Sequence, residues 1–78
     1  MEYLTDRITI ASNLCNGKPT IRGKRITVKT ILGYLSAGEE EAEILRQFPS
    51  LEKEDIKACL EFASLILDNS FSIKHFID

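Results

Sequence analysis

Residues 16–26 separate a segment with a strand-like pattern from one with a helical pattern. They read Asn16-Gly17-Lys18-Pro19-Thr20-Ile21-Arg22-Gly23-Lys24-Arg25-Ile26. Two glycines and a proline in so short a stretch predict turns rather than one continuous element. Before it, residues 7–11 alternate polar and apolar side chains and include β-branched ones, which is typical of a short strand. Residues 20–22 and 25–27 are predicted as two further extended pieces. Residues 7–27 therefore form short strands and a basic loop.

After this segment, residues 28–68 are predicted to form three helices. In the first, apolar residues recur at the spacing of one buried helix face, with Thr27 as its N-cap and Gly38 at its end. A second helix is predicted over about 40–48, where Pro49 stops it. A third is predicted over about 52–68.

The third helix carries more apolar surface than one contact needs. Its stripe consists of Ile56, Cys59, Leu60, Phe62, Ala63, Ile66 and Leu67. The excess is expected to face a second subunit, and Leu60→Ala, as a core truncation, is expected to cost about 2–5 kcal/mol. Residues 69–78 form an apolar tail, expected to dock on its own domain, a twin subunit or a partner. The predicted dimer or partner interface is Phe62, Ile66, Phe71, Ile73 and Phe76.

These elements predict a mainly α fold, with the whole chain, residues 1–78, as a single domain. At this length one small core is possible, and self-association is an expected source of further stability. The spacing of Gly38 and Pro49 permits a helix-turn-helix-like unit and equally a plain three-helix bundle, and the pattern alone favours the bundle.

Charge is unevenly distributed along the chain. The net charge of -2 does not point to nucleic acid, but residues 16–30 contain five cations and no acid, whereas residues 39–55 are strongly acidic. Candidate DNA-binding or partner-binding residues are Lys18, Arg22, Lys24, Arg25, Lys29, Lys53 and Lys57. Two simpler alternatives remain open: the charges solubilise two faces, or the arginines pair with the domain's own acids.

Groups suited to catalysis are scarce. His75 stands alone in the tail, Cys59 falls within the apolar stripe, and Cys15 has no base beside it. Together they fall short of a four-ligand zinc site. We therefore expect a non-enzymatic protein without metal or cofactor. No apolar run approaches a membrane span of about 20 residues, and the N-terminus lacks a signal-peptide pattern, so a cytoplasmic location with reduced thiols is expected.

The basic loop also carries a family resemblance. Its motif elements are Gly17-Lys18-Pro19, Ile21-Arg22-Gly23, Arg25-Ile26 and Val28. Further matches follow in order at Leu32, Leu35, Gly38, Ile44-Leu45, Phe48-Pro49, Leu51, Asp55-Ile56, Leu60 and Phe62-Ala63. Over about residues 8–65 the chain resembles the bacterial domain-of-unknown-function family 433, whose small members are often interpreted as antitoxin-like.

The resemblance implies a short N-terminal β element, a helix-turn-helix-like three-helix unit and a homodimer. It also implies an antitoxin that binds a nuclease-like toxin encoded by a neighbouring gene, with operator DNA as a further partner. The alternatives are a stand-alone DNA-binding regulator and a structural homodimerisation module.

Two departures from the family pattern concern the helix starts. The family tends to place Ser or Thr where the second and third helices begin, whereas this chain has the weaker N-caps Glu40 and Glu52. A recognition helix reads bases mainly with its first residues, and the first residues of the third helix are mostly acidic. Any DNA binding is therefore expected to depend on the basic residues 18–29.

Overall fold

The computed structural model describes residues 1–70, in which a small sheet precedes three helices. The strands are β1 (Glu2–Tyr3), β2 (Ile8–Ile10) and β3 (Thr20–Ile21), and a short 3-10 turn spans Cys15–Gly17. The helices are α1 (Val28–Ser36), α2 (Glu41–Gln47) and α3 (Lys53–Ser70). The three predicted helices and the predicted strand over 7–11 are confirmed within a few residues.

The sheet is antiparallel throughout, in the order β1-β2-β3. Ile8 pairs with Ile21 across β2 and β3, and Tyr3 pairs with Thr9 across β1 and β2. The extended piece predicted at 25–27 is reduced to one isolated bridge between Thr20 and Thr27. Because a three-stranded sheet stands beside the helices, the mainly α expectation is corrected to a mixed α/β fold.

Local signals set the helix ends. The Thr27 hydroxyl accepts a hydrogen bond from the Thr30 N–H at 3.1 Å, which confirms it as the N-cap of α1. Gly38 follows that helix with φ of +92°, a conformation that favours glycine. Glu40 makes no side-chain cap at α2, as its weaker capping rank predicts. Residues at the helix ends, such as Thr27 and Gly38, thus determine where the loops begin and end.

The core lies between the sheet and the three helices. Its buried apolar members are Ile8, Ile21, Val28, Ile31, Ile44, Leu51, Ile56, Cys59 and Phe62. Thr9, on the other face of β2, is also fully buried. Its hydroxyl lies 2.9 Å from the Thr20 hydroxyl and accepts from the Gly23 N–H at 2.8 Å, so neither threonine is left without a partner.

Helix α3 extends two turns past Phe62, its last fully packed residue. Leu60, Leu65, Ile66 and Leu67 are 40–57% exposed. The expectation that Leu60 is a core residue is wrong, because Leu60 is 51% exposed. It follows Cys59, and one residue along a helix rotates the side chain about 100° away from the buried line. No helix within residues 1–70 is long and apolar enough to cross a membrane.

Candidate functional site

Among the described residues, no group of three or more His, Cys, Asp or Glu side chains is placed to hold a metal ion. His75 lies outside the described residues. Two other features dominate the molecule. One is a cluster of charges at the start of α3, and the other is an apolar groove beside the end of that helix.

The first feature, which we call the arginine–aspartate cluster, consists of Arg7, Arg22, Glu52 and Asp55. The Asp55 side chain is fully buried and accepts from Arg22 twice, Nε to Oδ1 at 2.9 Å and Nη2 to Oδ2 at 2.6 Å. Arg7 Nη1 donates to Asp55 Oδ1 at 2.9 Å and to Glu52 Oε1 at 2.7 Å. One carboxylate thereby joins the residue before β2, the turn after β3 and α3.

Asp55 also caps its own helix. It stands at the third position of α3, and its Oδ2 accepts from the Glu52 N–H at 2.8 Å, which is half of a capping box. Burial by itself raises the pKa of this carboxyl, but the bonds from Arg22, Glu52 and Arg7 outweigh it and lower the pKa to about 2. Asp55 is therefore ionised at neutral pH, which suits a structural anion.

Backbone geometry presents Arg22 to this carboxylate. Arg22 and Gly23 both have positive φ, +47° and +71°, and the Lys24 N–H bonds back to the Ile21 carbonyl at 2.8 Å in a tight turn. Arg22 Nη2 also donates to the Ser50 carbonyl at 3.1 Å. For Arg22 the structure therefore supports the alternative in which the arginine pairs with the domain's own acids.

The other predicted cations divide into two sets. Lys53 lies 4.0 Å from Glu41, and Lys57, which forms no ion pair within residues 1–70, lines a cleft together with Glu54 and Glu61. The remaining four lie in or near the basic loop and also form no ion pair with any acid in residues 1–70; they are Lys18, Lys24, Arg25 and Lys29. The structure thus leaves a smaller basic surface than the sequence predicted.

The second feature is a groove between the start of α1, the loop before β3 and the second half of α3. Its lining, which defines the apolar groove, is Lys18, Pro19, Thr27, Val28, Lys29, Leu32, Phe62, Ala63, Ile66 and Leu67. Lys18 and Lys29 are its only charged members, and both are exposed. The Thr27 hydroxyl is already engaged in capping α1.

This lining suits apolar side chains rather than a polar small molecule. Small-molecule sites combine apolar walls with several convergent polar groups. The groove differs from them, because its charged groups are two exposed lysines, Lys18 and Lys29. A contiguous exposed apolar surface edged by charge is characteristic of a protein–protein contact. The groove is therefore the surface of the described chain best suited to bind another polypeptide.

The predicted interface residues fall in different places. Ile66 is 40% exposed and lines the groove, whereas Phe62 is only 8% exposed and belongs to both its lining and the core. Phe71, Ile73 and Phe76 lie outside the described residues. Sequence reasoning did not single out Pro19 or Leu32 as surface residues. Leu32 carried only the periodic signal of a buried helix face, which does not reveal where that face is left uncovered.

Comparison with known proteins finds one family model and a similar solved structure. The family model described as "Protein of unknown function (DUF433)" matches residues 8–63. The crystal structure of a DUF433 member from Anabaena variabilis is similar, with a TM-score of 0.76 and 30% sequence identity. The match covers 85% of this chain and 65% of that one, so the chain spans about two thirds of that relative's length. The comparison with curated proteins finds no match.

Proposed function

The chain belongs to the DUF433 family, and from that premise we propose that it is a non-catalytic, antitoxin-like protein that binds and neutralises a nuclease-like toxin. The observation that carries the proposal is the apolar groove, an open surface whose lining is almost entirely apolar. The toxin would insert an apolar segment between α1 and α3, with acidic residues of that segment near Lys18 and Lys29.

A second surface supports a nuclease as the partner. Glu39, Glu40 and Glu54 form no ion pair with the described cations, and they lie at the starts of α2 and α3. A cleft that binds nucleic acid is basic, so acidic side chains complement it and compete with its substrate. The groove would supply affinity, and the acidic helix starts would cover the cleft.

The test is co-purification with the product of the neighbouring gene, using two matched variants. Leu67→Ser removes a groove residue that is 57% exposed, and Leu60→Ser removes a residue of the same helix that is 51% exposed but does not line the groove. Loss of a central apolar contact costs binding more than about 1.4 kcal/mol, or tenfold in Kd. We expect Leu67→Ser to weaken capture at least that much and Leu60→Ser to leave it unchanged.

Two outcomes would refute this proposal. One is a neighbouring gene product that is neither toxic in the cell nor bound by the chain. The other is equal weakening by both variants, which would show that the groove is not the contact surface. Circular dichroism of each variant checks that the fold is retained, as expected for substitutions of exposed side chains.

Operator DNA is a second candidate, favoured by the four cations of residues 18–29 that form no ion pair with the acids of residues 1–70. In a helix-turn-helix-like arrangement, α2 and α3 would meet the DNA, but the exposed acid Glu54 in the first turn of α3 is repelled by phosphate. Lys18, Lys24, Arg25 and Lys29 would then have to supply the attraction.

Salt dependence measures this contribution. Four phosphate contacts predict a slope of about -3.6 in log K against log salt at most. Reversing Arg25 and Lys29 to Glu is expected to flatten the slope by about half and abolish promoter binding at physiological salt. Binding that survives the reversal unchanged would exclude the basic loop as a DNA surface. Arg22 is unsuitable for this test because it holds Asp55.

A further inference from the structure

We infer that the apolar groove binds its partner as an amphipathic α-helix whose apolar stripe is flanked by acidic side chains. The inference rests on the proposed function in one respect, because it takes the groove as the surface that binds a polypeptide. It goes further by assigning the bound segment a conformation, a spacing of apolar residues and a charge.

The two walls of the groove belong to helices that contact each other. Helix α1 supplies Val28 and Leu32, which are one turn apart, and α3 supplies apolar side chains from residues 62–67. At 1.5 Å per residue, these stretches measure about 6 Å and about 7.5 Å, between one and two turns each. A third helix with apolar residues at i, i+3, i+4 and i+7 would cover that length.

The α3 wall has a small residue among large ones. Ala63, Ile66 and Leu67 stand at i, i+3 and i+4, which are three of the four corners of the hole that receives one side chain of a packed helix. A small residue beside large ones leaves room for a large apolar side chain from the facing element. This wall is therefore shaped for a helix that presents Leu or Phe.

The backbone along the rim favours a helix over a strand. Pro19 has no N–H, its carbonyl accepts from the Val28 N–H at 3.0 Å, and the Lys18 N–H donates to the Cys15 carbonyl at 3.1 Å. An extended segment placed here would lack partners for its own N–H and C=O groups, and leaving such groups unpaired is costly. A helix satisfies these groups within itself.

Charge sets the sign of the flanking residues. Lys18 and Lys29 are exposed and form no ion pair with an acid in residues 1–70, and the lining formed by the described chain contains no acid. Glu or Asp beside the apolar stripe of a bound helix would be attracted to these lysines, whereas Lys or Arg would be repelled. Exposed ion pairs are weak, so the lysines select among helices and the apolar contact supplies most of the affinity.

The experiment titrates the full chain into fluorescent synthetic peptides and follows anisotropy. The probe is a peptide of about 18 residues with Leu at i, i+3, i+4 and i+7 and Glu beside that stripe. Its control has the same residues in shuffled order, without a single apolar face. We expect the control to bind at least roughly tenfold more weakly, and carbon chemical shifts of the labelled probe to become helical on binding. Equal affinity, or a bound probe with extended shifts, would overturn the inference.

Variants of the chain locate the contact and test the charge. Leu67→Ser should weaken the probe roughly tenfold, and Leu60→Ser, on the same helix but outside the lining, should not. A probe with Lys in place of Glu should bind the natural chain roughly tenfold more weakly at low salt, with a smaller difference at high salt. Lys18→Glu combined with Lys29→Glu should reverse this preference. A preference for the Glu probe that survives the reversal would refute the role of the lysines.

A second copy of the chain is the competing occupant, and light scattering distinguishes it. We expect the mass of a single chain without the peptide. A dimer that forms with rising concentration and that the peptide dissociates would assign the groove to a second copy and overturn the inference.

The two proposals fail in different ways. The peptide titrations need no toxin, so a chain that binds the acidic helix but not the neighbouring gene product would refute the proposed function and leave the helix site intact. A chain that captures the gene product through Leu67, yet binds neither peptide, would refute the helix and leave the proposed function intact.

Discussion

Replacing Asp55 with asparagine tests the arginine–aspartate cluster most directly. The substitution keeps the size of the side chain and removes its charge. Both carboxylate oxygens accept hydrogen bonds, from Arg7, Arg22 and the Glu52 N–H. An amide accepts at only one of its two atoms and donates at the other, so a donor would face a donor in a buried place. We expect Asp55→Asn to lower the free energy of unfolding at neutral pH.

The magnitude follows from the pKa of Asp55. It falls from 3.8 to about 2 on folding, a difference of about 1.8 units, and each unit corresponds to about 1.36 kcal/mol. This gives about 2 kcal/mol. The side chains of Arg7 and Arg22 are 31% and 29% exposed, so water screens the cluster and the 3–5 kcal/mol typical of a fully buried pair is an upper limit. A chain of 78 residues has roughly 4–12 kcal/mol in total.

The assay is urea unfolding followed by circular dichroism at several pH values. Because the pKa is lower in the folded state, the stabilisation is fully present above about pH 4 and is lost as the pH falls through about 2. The difference between the natural chain and Asp55→Asn should therefore be about 2–3 kcal/mol at pH 7, about half that at pH 3, and nearly absent at pH 2.

Asp68→Asn is the matched control, since Asp68 is exposed on the same helix and forms no ion pair within the described chain. It should change the free energy of unfolding by no more than about 0.5 kcal/mol. A loss of less than about 0.5 kcal/mol for Asp55→Asn at pH 7 would refute the reasoning. So would a difference that stays constant from pH 7 to pH 2.

Three further outcomes are expected. Leu60→Ala should cost no more than about 0.5 kcal/mol in urea unfolding, because the side chain is 51% exposed; a core-like loss of about 2 kcal/mol or more would contradict its placement. Gly33→Ala, in open space within α1, should stabilise the fold by up to about 1 kcal/mol. Gly38→Ala, at φ of +92°, should destabilise it by about 1–2 kcal/mol. Equal shifts in melting temperature for the two variants would contradict the different backbone conformations of these glycines. In the native protein at pH 8, Cys15 should react with an alkylating reagent and Cys59 should not, because burial raises the pKa of the Cys59 thiol to about 12. Modification of both thiols, measured by mass spectrometry, would show that α3 opens.

The helices were predictable because their signals are local. Thr27 caps α1 through Thr30, three residues away, and Gly38 ends that helix through its own backbone conformation. Pro49 follows α2 within two residues of its end. In each case the residue that causes the boundary lies beside it in sequence, so pattern and propensity are sufficient.

Contacts distant in sequence were not predictable in the same way. Asp55 contacts Arg7 and Arg22 across 48 and 33 residues, and the sequence only placed these side chains in an acidic and a basic region. An acid at the third position of a helix indicates capping, but it does not identify which cations approach it. Strand β1 is only two residues long and depends on its pairing with β2, so it carries no periodic pattern of its own.

The groove was only partly predictable for a related reason. Periodicity showed correctly that α3 has more apolar surface than one contact requires, but it grouped Leu60 with Leu67. The two residues are similarly exposed, and only Leu67 lines the groove. What separates them is where α1 and the loop at Pro19 pass along α3. That position is determined by the packing of the whole core and by no single segment.

The two features of the molecule are connected through α3. The arginine–aspartate cluster attaches the first turn of α3 to the residue before β2 and to the turn after β3, with Asp55 bound by Arg7 and Arg22. After the turn that follows β3, the chain enters α1, which forms the opposite wall of the groove. The cluster and the groove therefore share α3 as a common wall or anchor. Because both Nε and Nη2 of Arg22 donate to Asp55, this arginine has a structural role within the domain.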